Sequence, residues 1–365
     1  MNATGLAEVV VPAGSLHDAL PFWIQGLGFR LEAIHPADSP RVAVVSGHGV
    51  RLRLEHGADV APGRIRLLVE DPSALEGPAV RVAPGGTVVE ILPRDVPLAI
   101  PKAVHVFDVR RLRDGAPWVV GRAGMQYRDL IPSRLGGALI ASHIRVPGGG
   151  LVPDAVHRHT VGFQLILCHR GWVDVLYEDQ GDAPMRLAAG DCVIQPPGIL
   201  HRVCEASADI EVLELGVPAE HETTMVHDAV LPNGHGDPSR TWAGQRFVHH
   251  VAATAAWGPH RLPGFACRET GIAEGTDGVA AVQAVRAAGA GTVRWRHDGD
   301  ILLGFVRAGS MVVAADGGPD RVVEEGDAWV VPPGMPVTFR DVSADLEYVE
   351  ASLPAGFRTE VLSAG

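Results

Sequence analysis

The stretch HRHTVGFQLILCHRG, residues 157–171, followed across residues 172–189 by GDCVIQPPGILH, residues 190–201, decides how this chain is read. Alternate residues of a strand project from the same face, so His157 and His159 can reach one ion together. Gln164 lies further along the run. His201 follows a Pro196-Pro197-Gly198 turn able to carry it in from another strand. Converging inside a small β-barrel, three imidazoles and an amide oxygen make a mononuclear metal site, with His157, His159, Gln164 and His201 as candidate ligands.

The spacing H-x-H-x4-Q-x6-G, then G-x5-P-x-G-x2-H, resembles the two motifs of the cupin family, small jelly-roll barrels whose first motif usually reads H-x-H-x4-E. Gln164 stands where the family's glutamate usually stands. The tetrapeptide His157-Arg158-His159-Thr160 is also similar to gentisate-type ring-cleaving dioxygenases, bicupins in which three histidines of one barrel hold iron. That resemblance implies Fe(II). Imidazole also suits Zn, Ni and Cu, and Mn stays among the alternatives.

All four candidate ligands are neutral, which leaves a dication's charge uncompensated and favours an anionic bidentate substrate such as a diolate, an enolate or a hydroxy acid. On an octahedral ion they leave two adjacent positions, for two substrate atoms or for substrate and dioxygen. The leading expectation is therefore a metal-dependent dioxygenase acting on a small oxygenated metabolite. A redox-neutral isomerase, lyase or cyclase using the ion as a Lewis acid is the second reading. A bicupin that binds a small molecule without turnover is the third. No catalytic acid or base stands out. His143 and Arg145 alternate on one face of the strand before the first motif; they either line the pocket and bind substrate, or form a charged outer face.

An internal repeat organises the second two-thirds of the chain. Ser207–Ala219 (SADIEVLELGVPA) matches Ser343–Ala355 (SADLEYVEASLPA), Gly171 recurs as Gly309, and Gly190…Pro196-Pro197-Gly198 recurs as Gly326…Pro332-Pro333-Gly334. Two tandem jelly rolls follow from this self-similarity: a metal-binding barrel over 99–230 and a degenerate one over 231–365. In the second copy His157 falls on Trp295, His159 on His297, Gln164 on Leu302 and His201 on Val337. Three of the four ligands are gone while the turns are kept, so the barrel does not itself need them.

Residues 1–98 differ in character. A strand at Ala7–Val11, a helix after Ser15 that carries Pro21, and strands near Val42–Ser46 and Val50–Glu55 read as a βαβββ module. With F-W-x-x-G-L-G-F at residues 22–29, it resembles the glyoxalase/bleomycin-resistance (vicinal oxygen chelate) family. Strands near Arg64–Val69, Val80–Ala83 and Thr87–Leu92 look like an abbreviated second module. The positions where that resemblance would put metal ligands hold Glu8, Glu55 and Glu90, with no histidine, and these read as solvent-facing. The fold class expected is thus mainly β: two jelly rolls behind a small α+β domain.

Composition narrows the partners. A net charge of −12 with no basic stripe argues against nucleic acid. No run approaches the ~20 apolar residues that span a bilayer. The first residues carry no basic-then-apolar leader, and four cysteines at irregular spacing make no disulfide framework. A cytoplasmic protein with a small-molecule substrate is expected. Bicupins often associate, so a homo-oligomer is in keeping with the resemblance.

Overall fold

The computed structural model describes residues 5–363 apart from Ala37, His235 and Pro238. The chain divides into two compact units, Met1–Pro97 and Leu98–Gly365. No helix among the described residues is long and apolar enough to cross a membrane.

In the first unit, strand Val9–Pro12, helix Leu16–Ile24 and strands Arg30–His35, Val42–Gly47 and Val50–Glu55 follow one another. Their spatial order is first, fourth, third, second, with the first strand parallel to the fourth. Leu16, Ala19 and Trp23, spaced as one helical face, are the residues the helix buries. Ser15 holds the N-cap position, but its side chain makes no capping bond. The helix continues through Pro21, whose carbonyl accepts from the N–H groups of Gln25 and Gly26. A second sheet holds Arg64–Val69, Val88–Pro93 and Val80–Val82. Between its first two strands in the chain lies a single 3-10 turn, Pro72–Ala74, where Asp71 turns the chain by accepting from Ser73 N–H.

The second unit holds two barrels, each made of a larger and a smaller sheet. The first is built around Ile140–Arg145, Phe163–Arg170 and Glu211–Val217 on one side, and His157–His159, Trp172–Tyr177 and His201–Ala206 on the other. The second repeats this with Ala281–Ala287, Ile301–Ala308 and Glu347–Leu353 against Val293–His297, Ser310–Ala315 and Val337–Arg340. Register repeats as well. His157 pairs with His201 as Trp295 pairs with Val337, and Gln164 pairs with Gly216 as Leu302 pairs with Ser352. Gly171 shows why a turn glycine recurs: its φ is +65°, and a Cβ would stand 2.1 Å from Ser207 Oγ.

The barrels pack back to back. Along Phe163–Arg170, Gln164, Ile166 and Cys168 alternate with Phe163, Leu165 and Leu167, and the latter three join a core shared with Ile301, Leu303 and Phe305 of the second barrel. A strand buried on both faces needs a nearly unbroken apolar run, which is what residues 163–168 and 301–306 supply. Edge strands also cross over. Val248–His250 extends the first barrel's larger sheet beside Cys192–Ile194, while Asp108–Arg110 extends the second's beside Ala328–Val330. Equivalent aspartates fasten them: Asp191 accepts from Ala252 N–H at 2.8 Å and Asp327 from Leu112 N–H at 2.7 Å.

The two interiors differ. The second is filled by Phe265, Trp295, Trp329, Phe339 and Tyr348. Gly304 makes room for this, since a Cβ there would lie 2.1 Å from the Trp329 ring.

Phe305 is fully buried at the seam. Phe305→Ala should destabilise the two-barrel unit by about 3–5 kcal/mol, read as a lower denaturant midpoint; a change below ~1 kcal/mol would show that the seam does not hold the barrels.

Candidate metal centre

Antiparallel pairing sets His157 opposite His201, and His159 lies two residues along on the same face. Ring centroids stand 4.2 Å apart for His157–His201 and 5.1 Å for each of the other two pairs. Every ring is oriented through Nδ1. His157 bonds the Ala155 carbonyl at 2.8 Å, His201 the Ile199 carbonyl at 3.0 Å and His159 the Thr223 hydroxyl at 2.9 Å. Such anchoring leaves Nε2 as the free nitrogen and fixes where it points. One ligand-capable nitrogen from each ring lies within 4.8 Å of the other two. His157 Nε2 is buried with no hydrogen-bond partner, a state that folded proteins rarely leave unanswered.

Electrostatics favours the ligand form. Burial lowers the pKa of His157, with Arg122 adding to it. Burial followed by repulsion from His157 and His221 pushes His159 down to about 3, and burial holds His201 well below its ordinary value. All three are neutral imidazoles near neutral pH, which is what a metal binds.

Gln164 is buried, and its Nε2 donates to Glu214 Oε1 at 2.6 Å. His159 and His201 open on a cavity whose other polar walls include Tyr127, Tyr177, Arg145 and Glu214, set among aliphatic side chains. Arg145 is held there by stacking 4.1 Å from the Trp118 ring centroid and by donating to Gln126 at 2.7 Å. Cys168 is a buried thiol that desolvation pushes up to about 12, inert rather than reactive.

His143 does not line this cavity. Its ring lies in the seam against Phe305 and His169, at centroid distances of 5.5 and 5.8 Å. Nδ1 accepts from Arg128 at 2.9 Å, so Nε2–H donates to Glu211 at 2.7 Å. The strand ends at Arg145, where Ile144, Arg145 and Val146 all reach the cavity wall, so strict alternation no longer ties His143 and Arg145 to one side. Arg128 also donates to the Gly326 carbonyl across the seam.

His143, His169 and Glu211 form a second group close enough to share an ion. Its surroundings argue against one. Arg170 pairs with Glu211 and Glu325, Arg307 reaches the His169 carbonyl, and Arg128 contacts His143; a dication would meet three guanidinium groups. The glutamates of the first unit are paired too: Glu8 with Arg51, Glu55 with Arg53 and Glu90 with Arg64. In the second barrel Trp295 is fully buried where His157 would be, and His297 Nε2 bonds the Val331 carbonyl at 3.0 Å.

Sequence reasoning passed over Glu214 and Thr223. Glu214 had a signal, since the repeat aligns it with Glu350. Thr223 had none, because the strand Thr223–Met225 lies beyond both motifs.

The model of the EutQ-like cupin domain family matches residues 273–347, within the second barrel. No curated protein sequence matches the chain. Among solved structures, salicylate 1,2-dioxygenase from Pseudaminobacter salicylatoxidans is similar at 16% identity, covering 73% of this chain and 91% of that one with a TM-score of 0.53. A mutant of oxalate decarboxylase from Bacillus subtilis is similar at 12% identity, covering 72% and 81% with a TM-score of 0.53. The fold of residues 98–365 is that of a bicupin.

The seam histidines make stability depend on pH. Burial and then His143 hold His169 down to about 3, and burial lowers His143. An unfolded histidine takes its proton near pH ~6.5, so below that the unfolded state binds more protons and stability falls with pH. His169→Gln should reduce this slope by about 1.4 kcal/mol per pH unit between pH ~6.5 and ~3, one proton's worth. Unfolding of the metal-free protein followed across that range checks this; identical slopes in both proteins would discharge His169 from the effect.

Proposed function

We propose that this protein is a mononuclear metal-dependent enzyme of the cupin type, with the ion held by His157, His159 and His201 and by Gln164 as a fourth ligand. The observation that carries the reading is the buried, unpartnered His157 Nε2 beside two further imidazoles oriented through Nδ1. Fe(II) is the ion proposed, and a dioxygenase acting on a small oxygenated metabolite is the activity. The likeness to salicylate 1,2-dioxygenase supports this class. A bound iron would supply a Lewis-acidic centre able to engage substrate oxygens and dioxygen together.

The chain's own residues do the rest. Aliphatic walls such as Ile144, Ile166, Val175 and Val203 exclude water and accept an apolar body. Arg145, braced by Trp118, supplies fixed positive charge for a substrate carboxylate. Tyr177 is buried and hydrogen-bonded by Gln195 at 3.1 Å, so it acts as a neutral wall and not as a base. In this reading residues 99–230 carry the chemistry, and 231–365 form a degenerate barrel that supports it. Residues 1–98 are an accessory module; their βαβββ strand order supports the vicinal-oxygen-chelate likeness. The likeness to oxalate decarboxylase supports a redox-neutral second reading, and dependence on dioxygen separates the two.

Freshly purified protein should contain one metal ion per chain by elemental analysis, lost in His157→Ala and His201→Ala and kept in His297→Ala. Oxygen consumption with hydroxy-aromatic acids should vanish in the first two variants. Two ions per chain, or a full complement in His201→Ala, would falsify the ligand assignment. Turnover that persists without oxygen moves the reading to the redox-neutral class of Lewis-acid chemistry.

A further inference from the structure

The two barrels place a glutamate at equivalent positions and treat it differently. Glu214 and Glu350 occupy the same place in the repeated segment, on Glu211–Val217 and Glu347–Leu353. Glu350 is buried in the second barrel, and Glu214 lines the first barrel's cavity with His159 and His201.

In the second barrel, Arg261 grips Glu350 through two nitrogens, with Nη2 donating to Oε2 at 2.6 Å, and His260 lies 3.9 Å away. Burial alone would raise the Glu350 pKa, but Arg261 overrides it and holds the carboxyl at about 2. That guanidinium sits 5.8 Å from the ring centroid of Trp295, the residue in the place of His157. A fixed cation therefore stands near the spot where the first barrel gathers its imidazoles.

Glu214 has no such partner. No ion pair joins it among the described residues, and its hydrogen bond is the one from Gln164 Nε2 at 2.6 Å. In the second barrel Gln164 is replaced by Leu302, so the glutamate there has lost its amide and gained an arginine. Where the histidines persist, the glutamate is tied to Gln164 and makes no ion pair among the described residues, although Arg122 and Arg145 line the same cavity. Where they are gone, a guanidinium neutralises it.

Building on the metal-site reading above, we propose that Glu214 is the anionic positioning residue of that site, acting through Gln164. By accepting one amide hydrogen, it holds Gln164 through its nitrogen and leaves the amide oxygen as the ligand atom, and it supplies the negative charge that four neutral ligands lack. A carboxylate bonded to the amide N–H also strengthens the carbonyl oxygen as a donor. A cation bound in the first barrel would take the electrostatic role that Arg261 fills in the second.

The test is metal affinity of the apoprotein, titrated with Co(II), whose visible spectrum also reports the donor set. E214Q should bind about tenfold or more weakly, as loss of a residue that orients a ligand typically does, with a changed spectrum. Q164L should lose a similar factor. The E214Q/Q164L double variant should lose little beyond the worse single one, because residues acting as a unit do not add. E214Q/Q164E, which moves the carboxylate onto position 164, should recover affinity to within about threefold of the unmutated protein. Unmutated affinity in E214Q, or additive losses in the double variant, overturns the role of Glu214 and leaves the three-histidine site standing. Failure of the unmutated protein to bind Co(II) removes the site itself. If E214Q does not fold, E214Q/Q164E decides: affinity near the unmutated value supports the proposal, and a loss equal to that of Q164L overturns it.

Discussion

The cluster of three imidazoles depends on one register, the antiparallel pairing that sets His157 across from His201. Side chains alternate along a strand, so a slip of one residue in the His157–His159 strand would turn both of its histidines to the outer face and leave His201 without them. The neighbouring strand locks the alignment: His159 pairs with Thr223, and the Thr223 hydroxyl also bonds its ring. Backbone hydrogen bonds thus fix positions that a metal alone would have to impose. The fold itself orients the imidazoles and meets the cost of burying them neutral.

The second barrel shows the same backbone with another solution inside. Trp295 and Val337 keep the pairing of His157 and His201, yet aromatic rings fill the space and Arg261 with Glu350 replaces the polar centre. The register therefore belongs to the barrel, and the side chains placed on it decide between a cavity and a packed core. Equivalent turn glycines such as Gly171 and Gly309, both at positive φ, hold the frame in either case.

Much of this was legible in the sequence, for identifiable reasons. The histidine spacing and the repeat are local patterns, and they gave the barrels, their alignment and the loss of ligands in the second copy. Contacts between distant segments were not legible. Period-two reasoning put His143 and Arg145 on one face, but the strand ends at Arg145 and the two side chains part, one to the seam and one to the cavity. Glu214 is one of two glutamates in a mostly apolar strand; its tie to Gln164 runs between strands whose pairing no short motif announces. The seam was hidden as well, because a run buried on both faces looks the same whether its outer neighbour is a second barrel or some other layer.

The exchanged edge strands bear on the history of the molecule. Val248–His250 and Asp108–Arg110 each finish a barrel built mainly from the other half of the duplication, and the paired aspartates Asp191 and Asp327 clasp them from both directions. Two such halves cannot be inherited separately: deleting either strips an edge from its twin and lays bare an apolar flank. The C-terminal copy can therefore do without the histidines of its twin and still be needed, because it builds an edge of the first barrel.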